Sequence, residues 1–476
     1  MTSIIKKIVQ NEVGRYVSDP AELAKLPISQ VLDLDASTVE QIQLEALKRR
    51  FEYFRPRIQA LEKLANEQGI QEIATLEDAG PLLFQHSLYK SYPLFLIEKK
   101  RFDKLTEWLQ KLTTHDLSTV NTKGVKTIDG WLQAIEDATD IEIVHSSGTT
   151  GKLSFLPRSA SEMAAYSDGF YLLLEGITGN NYRKVKMPVF FPGYRDGRQL
   201  QQRVIGRFGP EIAGSDAEFH TAFEGFMSAD FMSLAGRVRA AKAKGELGKL
   251  QLIKALAHNK GELIKMKRQA PKMMEAFINK LITEYAGRDV LFMSVWQPII
   301  ETALAGIEQG AKNVFGPGTG IVTGGGMKNY QPPDGWYEKC LKFYGVPFIR
   351  DSYGMTEMTG GGCIACDHNH YHLPPWFIPY LLDPETGKVQ PRNETKTGRF
   401  AFYDLLTESY WGGFITGDEV TIHWDNDPCG CGYKGVWFDK GIQRYSEKQG
   451  GDDKITCAGV QEANDALLDF LLEEES

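Results

Sequence analysis

The sequence predicts an α/β chain in which layered, mainly parallel sheets with flanking helices are joined to a small β-rich subdomain. Three observations carry this. Between 141 and 360 short apolar runs alternate with helical stretches, as in Val185–Phe191, Val290–Val295, Pro298–Glu308, Ile321–Thr323 and Val346–Ile349, the pattern of strand–helix–strand units with parallel strands. From Gly398 onward the runs Phe400–Leu405, Gly413–Thr416 and Val420–Trp424 follow one another without helices between them, which reads as a barrel-like or distorted sheet. At 476 residues the chain is longer than one core usually supports, so two or three subdomains are expected.

Before these segments, helical patterns such as Val39–Ala65 and Phe102–Leu112 dominate. The expected division is therefore a helical N-terminal region over 1–135, an α/β core over 136–397, a β-rich subdomain over 398–443 and a short terminal segment over 444–476. The 54 basic and 62 acidic residues give a net charge of −8, which excludes a general footprint for nucleic acid or a membrane surface. No apolar stretch reaches spanning length, and Met1 to Tyr16 is polar and charged, so a cytoplasmic protein is expected. The Lys-rich helical stretch Gly236–Tyr285 could steer an anionic partner, although a solvated helical face accounts for it as well.

Ser146-Ser147-Gly148-Thr149-Thr150-Gly151-Lys152 is the richest motif. Its four hydroxyls can donate to phosphate oxygens, its two glycines let backbone N–H groups approach, and Lys152 adds positive charge. The loop lies between two expected strands rather than opening a helix, and the GxxxxGK[ST] spacing is absent, which argues against a Walker-type loop. Three further segments follow. Thr323-Gly324-Gly325-Gly326 is a strand-end glycine turn where bare backbone could meet a flat ring. Tyr353-Gly354-Met355-Thr356-Glu357 follows another expected strand, and Thr416-Gly417-Asp418 lies in the β-rich part.

These four segments, in this order, resemble the motifs of the adenylate-forming superfamily, which includes acyl- and aryl-CoA synthetases, over roughly residues 140 to 460. The resemblance implies that family's N-terminal-domain fold and activation of a carboxylic acid by ATP and Mg2+. It implies that Ser146 to Lys152 hold the phosphates, Gly324 to Gly326 and Tyr353-Gly354 face adenine, and Thr356 meets the phosphate. By the same resemblance Glu357 holds magnesium, while Asp418 and Arg444 contact the ribose.

The six cysteines are too few for a disulfide scaffold in a chain of this length. Cys363, Cys366, His368, His370 and His372 cluster near the Tyr353 segment, and Cys429 and Cys431 lie farther on. Cys366, His372, Cys429 and Cys431 form the preferred set for a tetrahedral, structural zinc, with Cys363 and His370 in reserve; buried thiols beside a hydrated loop are the alternative. The Cys…His-Leu and Pro-Cys-x-Cys-Gly pattern resembles the phenylacetate-CoA ligase and LuxE-like acyl-protein synthetase branch.

Only 32 residues follow Arg444, so the resemblance implies that the family's C-terminal lid and its lysine are largely absent. In the acyl-protein synthetase branch a cysteine near the C-terminus takes the acyl group. Cys457 matches by position, with Lys454 near enough in sequence to lower its pKa; a small buried residue beside a helix is the alternative. The favoured product is a thioester on a protein cysteine, with a reductase, acyl carrier or CoA as further acceptors, and a non-catalytic nucleotide-binding scaffold as the reading of another class. Phe190, Phe191, Tyr194, Trp296 and Trp376 could line an acyl or aryl pocket, or simply pack a core. The acid and the oligomeric state are not legible.

Overall fold

Short runs of β-branched and aromatic residues separated by helices build one parallel sheet. Its strands are β4 (Val189–Gly197), β5 (Phe219–Met227), β6 (Leu291–Met293), β7 (Gly320–Gly324) and β8 (Arg350–Ser352). They lie in the order β5-β4-β6-β7-β8 with every pair parallel. Because such strands are covered on their faces by helices, Phe190, Phe292 and Ile321 are buried with Ile299, Ile300 and Ala303 of the helix Trp296–Glu308. Phe343 and Tyr344 of the helix Trp336–Tyr344 complete this cluster. Gly306 permits the helix pair to approach, since a Cβ there would lie 2.1 Å from the Phe343 ring.

The structure is a computed structural model and describes residues 13–148, 151–243, 245, 260–327, 330–445 and 470. It divides into two units: Met1–Ile143 with Phe155–Leu172 and Thr356–Ser476, and Val144–Ser154 with Leu173–Met355. The parallel sheet belongs to the second. β2 (Ile141–His145) and β3 (Phe155–Ser159) form a two-stranded sheet around the Ser/Thr/Gly-rich loop.

The first unit holds an eight-stranded sheet. β11 (Phe377–Leu382), β12 (Lys396–Asp404) and β13 (Gly413–His423) run antiparallel and continue to β14 (Trp437–Phe438), β10 (Tyr371–His372) and β9 (Ile364–Ala365). β1 (Phe84–Gln85) pairs in parallel with β13, and β15 (Gln443–Arg444) pairs with it antiparallel. The N-terminal helices share this unit because their side chains pack on the sheet. Phe51 and Phe54 meet Trp411 at centroid distances of 6.2 and 5.8 Å. Buried Gln43 donates to the carbonyls of Pro375 and Phe377, each at 3.0 Å. Tyr380 and Tyr403 hydroxyls donate to Leu76 O at 2.6 Å and Ala79 O at 2.7 Å.

The structure thus groups residues 13–143 with the β-rich part rather than setting them apart as 1–135, and the sheet begins before 398. Three element expectations also change. The pattern over Val39–Ala65 forms two helices, Ala36–Phe54 and Gln59–Glu67, because Pro56 lacks the N–H that a continuous helix needs. Gly413–Thr416 and Val420–Trp424 join into the single strand β13. The strand expected at Val346–Ile349 lies later, at Arg350–Ser352, so it ends immediately before the Tyr353 segment.

Candidate functional site

Within the second unit the glycine-containing motifs follow the carboxyl ends of parallel strands, the edge where open α/β sheets bind ligands. Gly324 ends β7 and pairs in register with Ser352, which ends β8 just before Tyr353. A Cβ on Gly324 would meet Ser352 Oγ at 2.7 Å and Ser352 O at 3.0 Å, so a side chain there would crowd this strand pair. Gly325 and Gly326 then take φ values of 74° and 61°, a backbone that side chains disfavour. Tyr353 is buried.

The Ser146 loop reaches the same edge. His145 bridges in parallel to Gln199, just beyond the end of β4, and its N–H donates to Arg198 O at 3.1 Å. Ser146 and Ser154 close the loop's neck, with Ser146 N donating to Ser154 O at 3.1 Å and Ser154 N to Ser146 Oγ at 2.9 Å. Ser146 Oγ is therefore an acceptor in the neck as well as a candidate phosphate donor. Gly148 (φ 62°) and Gly151 (φ 98°) are joined by a bond from Gly151 N to Gly148 O at 3.0 Å. The loop lies on the helix Ala229–Ala243, where a Cβ at Gly236 would stand 2.1 Å from Gly148 O. Ser147 and Lys152 are partly exposed, and Thr149 and Thr150 lie outside the described residues.

The remaining motif residues belong to the first unit. β13 slips in register against β12 between Arg399 and Ala401, and Thr416-Gly417-Asp418 occupies that irregularity, which re-aims side chains locally. Thr416 Oγ1 donates to Phe400 O at 2.8 Å and accepts from Asp418 N at 3.1 Å. Asp418 faces Arg444 across the β13–β15 pair, with Oδ1 3.5 Å from Arg444 Nε. Thr356 and Glu357 stand in a segment whose backbone is held by buried side chains. Arg158 Nη2 donates to Thr356 O at 2.8 Å, and Tyr410 OH donates to Glu357 O at 2.8 Å. Asp404 accepts from Thr359 N at 2.5 Å and Gly360 N at 3.0 Å. Burial pushes the Asp404 carboxyl up to about 6 despite these donors.

The Cys/His cluster also lies in the first unit. The hairpin of β9 and β10 carries Cys366 and His372, and a turn with Gly430 (φ 80°) and Gly432 (φ 94°) carries Cys429 and Cys431. The four ligand atoms lie within 4.8 Å of one another. Cys366 Sγ is 3.7 Å from Cys429 Sγ, and Cys431 Sγ is 3.3 Å from His372 Nε2. A tetrahedral zinc with Zn–S near 2.3 Å and Zn–N near 2.0 Å needs ligand separations of about 3.5–3.8 Å, so the donor set and spacing fit. Burial pushes His372 down to about 4, which keeps the imidazole in the neutral form that ligates metal. His370 Nδ1 lies 3.0 Å from Cys429 Sγ, and His368, His370 and Cys429 form a second group. Cys363, named in reserve, is buried outside both groups.

Cys457 and Lys454 lie outside the described residues. Of the proposed acyl-pocket residues, Phe190 and Trp296 are core members of the second unit, and Trp376 is fully buried in the first, donating to Gly360 O at 3.2 Å. A cavity of 160 Å³ in the first unit, beside Gln43, Arg392 and Trp424, holds no motif residue. Sequence reading missed Arg158, Asp404 and Tyr410. The one local signal was Ser159-x-x-Glu162, a capping-box pattern.

No helix among the described residues is long and apolar enough to cross a membrane. No family model and no curated protein matches the chain. Among solved structures, ATP-bound MatB from Rhodopseudomonas palustris is similar at 14% identity and a TM-score of 0.33, over 64% of this chain and 52% of that one. The acyl-CoA synthetase (AMP-forming)/AMP-acid ligase II-like protein from Dyadobacter fermentans gives 13% identity and a TM-score of 0.30, over 64% of this chain and 62% of that one. The long-chain-fatty-acid-CoA ligase FadD1 from Archaeoglobus fulgidus gives 12% and 0.29, over 68% of this chain and 57% of that one. The matches thus span about half to three fifths of the length of those structures.

Proposed function

We propose that the chain activates a carboxylic acid with ATP as an acyl-adenylate and passes the acyl group to a thiol. The observation that carries this reading is the recurrence of the motifs at one sheet edge: Gly324–Gly326 and Tyr353 follow carboxyl ends of the parallel strands β7 and β8, and the Ser146 loop, which follows β2, is joined to the end of β4 by the His145–Gln199 bridge. Ser147 and Lys152 would meet the phosphates, with the backbone of Gly148 and Gly151. Asp418 and Arg444 would hold the ribose. Mg2+, with Glu357 as its ligand, would offset the charge of the phosphates.

A substrate carboxylate oxygen attacks the α-phosphorus, the bond from that phosphorus to the α,β-bridging oxygen breaks, and pyrophosphate leaves. Attack by one anion on another requires prior neutralisation, which the hydroxyls and Lys152 serve. The mixed anhydride then acylates a thiolate with release of AMP. Cys457 is our acceptor, and a structural zinc at Cys366, His372, Cys429 and Cys431 would tie β10 to the turn before β14. A fatty or aryl acid is the substrate class, and the cytoplasm the compartment.

ATP–pyrophosphate exchange over fatty, aryl and amino acids tests adenylation without its acceptor. Exchange with one acid class supports the reading; none with any acid, in protein that binds Mg·ATP, refutes it. Acyl label lost in Cys457→Ser supports the protein thiol, whereas label transferred to CoA by that variant makes the chain a CoA ligase.

A further inference from the structure

Arg158 at the end of β3 is fully buried. Its guanidinium reaches Thr356 O through Nη2 at 2.8 Å and Thr359 Oγ1 through Nη1 at 2.5 Å, and Nη1 also donates to Tyr410 OH. It lies over the Tyr410 ring, 4.6 Å from the centroid. Beside it, Glu162 is fully buried with Oε1 4.0 Å from Arg158. Glu162 completes the capping box at the start of the helix Ala160–Thr178: its carboxylate accepts from Ser159 N at 2.7 Å while Ser159 Oγ accepts from Glu162 N at 3.1 Å. The same carboxylate accepts from Glu408 N at 2.8 Å, Ser409 N at 3.2 Å and the Ser409 hydroxyl.

This network converges on one short segment. Thr356 O is held by Arg158, Glu357 O by Tyr410, Thr359 N and Gly360 N by Asp404, and Gly360 O by Trp376. From behind, Gly169 lets the segment lie against the helix, because a Cβ there would stand 2.4 Å from Gly360 O. A buried charge network of this extent serves poorly as a source of stability, since apolar side chains of the same shape often pack as well. What it supplies is position, because five polar groups over five residues are each held by a named side-chain partner in a water-poor interior.

We propose that Arg158, Tyr410 and Asp404 are positioning residues that hold the Thr356-Glu357 backbone in one conformation, so that Glu357 presents its carboxylate to the divalent cation of a nucleoside triphosphate. The proposal rests on the adenylation reading above for its chemistry, but the clamp is a property of this unit. Tyr410→Phe is the mildest perturbation, keeping the ring over Arg158 while removing the donor to Glu357 O. Thr359→Ala is the second variant, removing the hydroxyl that accepts from Arg158 and donates to Tyr410 OH.

Losing one such bond should free the segment by roughly tenfold, the order of a single buried hydrogen bond. Two measurements read this. Amide exchange of a peptide spanning Thr356–Gly360 in the full chain should quicken roughly tenfold in both variants. In ATP–pyrophosphate exchange, kcat should fall roughly tenfold and half-saturation by Mg2+ should rise, while KM for the acid stays unchanged. A purely structural role would not separate Mg2+ dependence from acid KM. Unchanged amide exchange, or unchanged kcat and Mg2+ half-saturation, in a folded variant overturns the proposal. If the wild-type chain exchanges no pyrophosphate with any acid, the adenylation reading fails on its own, and amide exchange then decides whether the clamp exists.

Discussion

Replacing Cys429 by serine should both strip a metal and loosen the first unit. Cys429 Sγ is 3.7 Å from Cys366 Sγ although 63 residues separate the two in sequence. A metal ligated by both closes that length of chain into a loop, and the chain-entropy relation for a cross-link of this span gives about 4 kcal/mol at 25 °C. Mass action leads to a similar value, since a ligand present at about a thousand times its dissociation constant stabilises the folded state by about 4 kcal/mol. The assay is metal analysis of purified protein, followed by denaturant unfolding with and without a zinc chelator. We expect about one zinc per chain in the wild type, and a lower unfolding midpoint after chelation or in Cys429→Ser. Cys363→Ser, buried outside the cluster, should keep its metal and so controls for the loss of a thiol as such. A folded, metal-free wild type would refute the reasoning, as would a chelated sample that unfolds at the midpoint of the untreated one.

Two further outcomes follow from the first unit. Asp418→Ala should weaken ATP binding by roughly tenfold or more through lost charge-assisted contacts; titration calorimetry checks this, and unchanged affinity removes Asp418 from the ribose site. Asp404 should make stability depend on pH. Its folded pKa is raised from 3.8 to about 6 by burial, so the folded chain binds this proton more tightly than the unfolded one. Its contribution is fully present below about pH 4 and is lost as pH rises through about 6, a change of up to about 3 kcal/mol. Denaturant unfolding of wild type and Asp404→Asn at pH 4 and 7 reads the difference, and parallel pH dependences in the two proteins would refute it.

Local sequence exposed a good deal of this architecture where the physics is local. The runs around Val290–Val295 and Ile321–Thr323 became β6 and β7 because apolar strands between helices have few other ways to be buried. The Cys and His residues were legible because metal ligands recur at short spacings, and the structure brings Cys366, His372, Cys429 and Cys431 together. Where the reading failed, the deciding partner was distant in sequence. Nothing near Gly417 shows that β13 runs on through it, because the strand's continuity comes from pairing with β12, β14, β1 and β15. The packing of the N-terminal helices also rests on a distant partner, since Phe51 and Phe54 find their cover on Trp411.

What the sequence by itself determined is the inventory: glycines where backbone must turn or approach, hydroxyls and a lysine in one loop, thiols and imidazoles at ligand spacing. Those follow from residue chemistry and short-range geometry, which a linear string preserves. Only the tertiary structure decided that Arg158, Asp404 and Tyr410 hold the Thr356-Glu357 segment and that Asp418 faces Arg444. Arg158 lies 198 residues from Thr356, and a charge at that separation is read from sequence as an exposed basic residue. Folding into a water-poor interior turned it into a donor that the carbonyl of Thr356 requires, because a buried polar group must find its partner wherever the chain brings one.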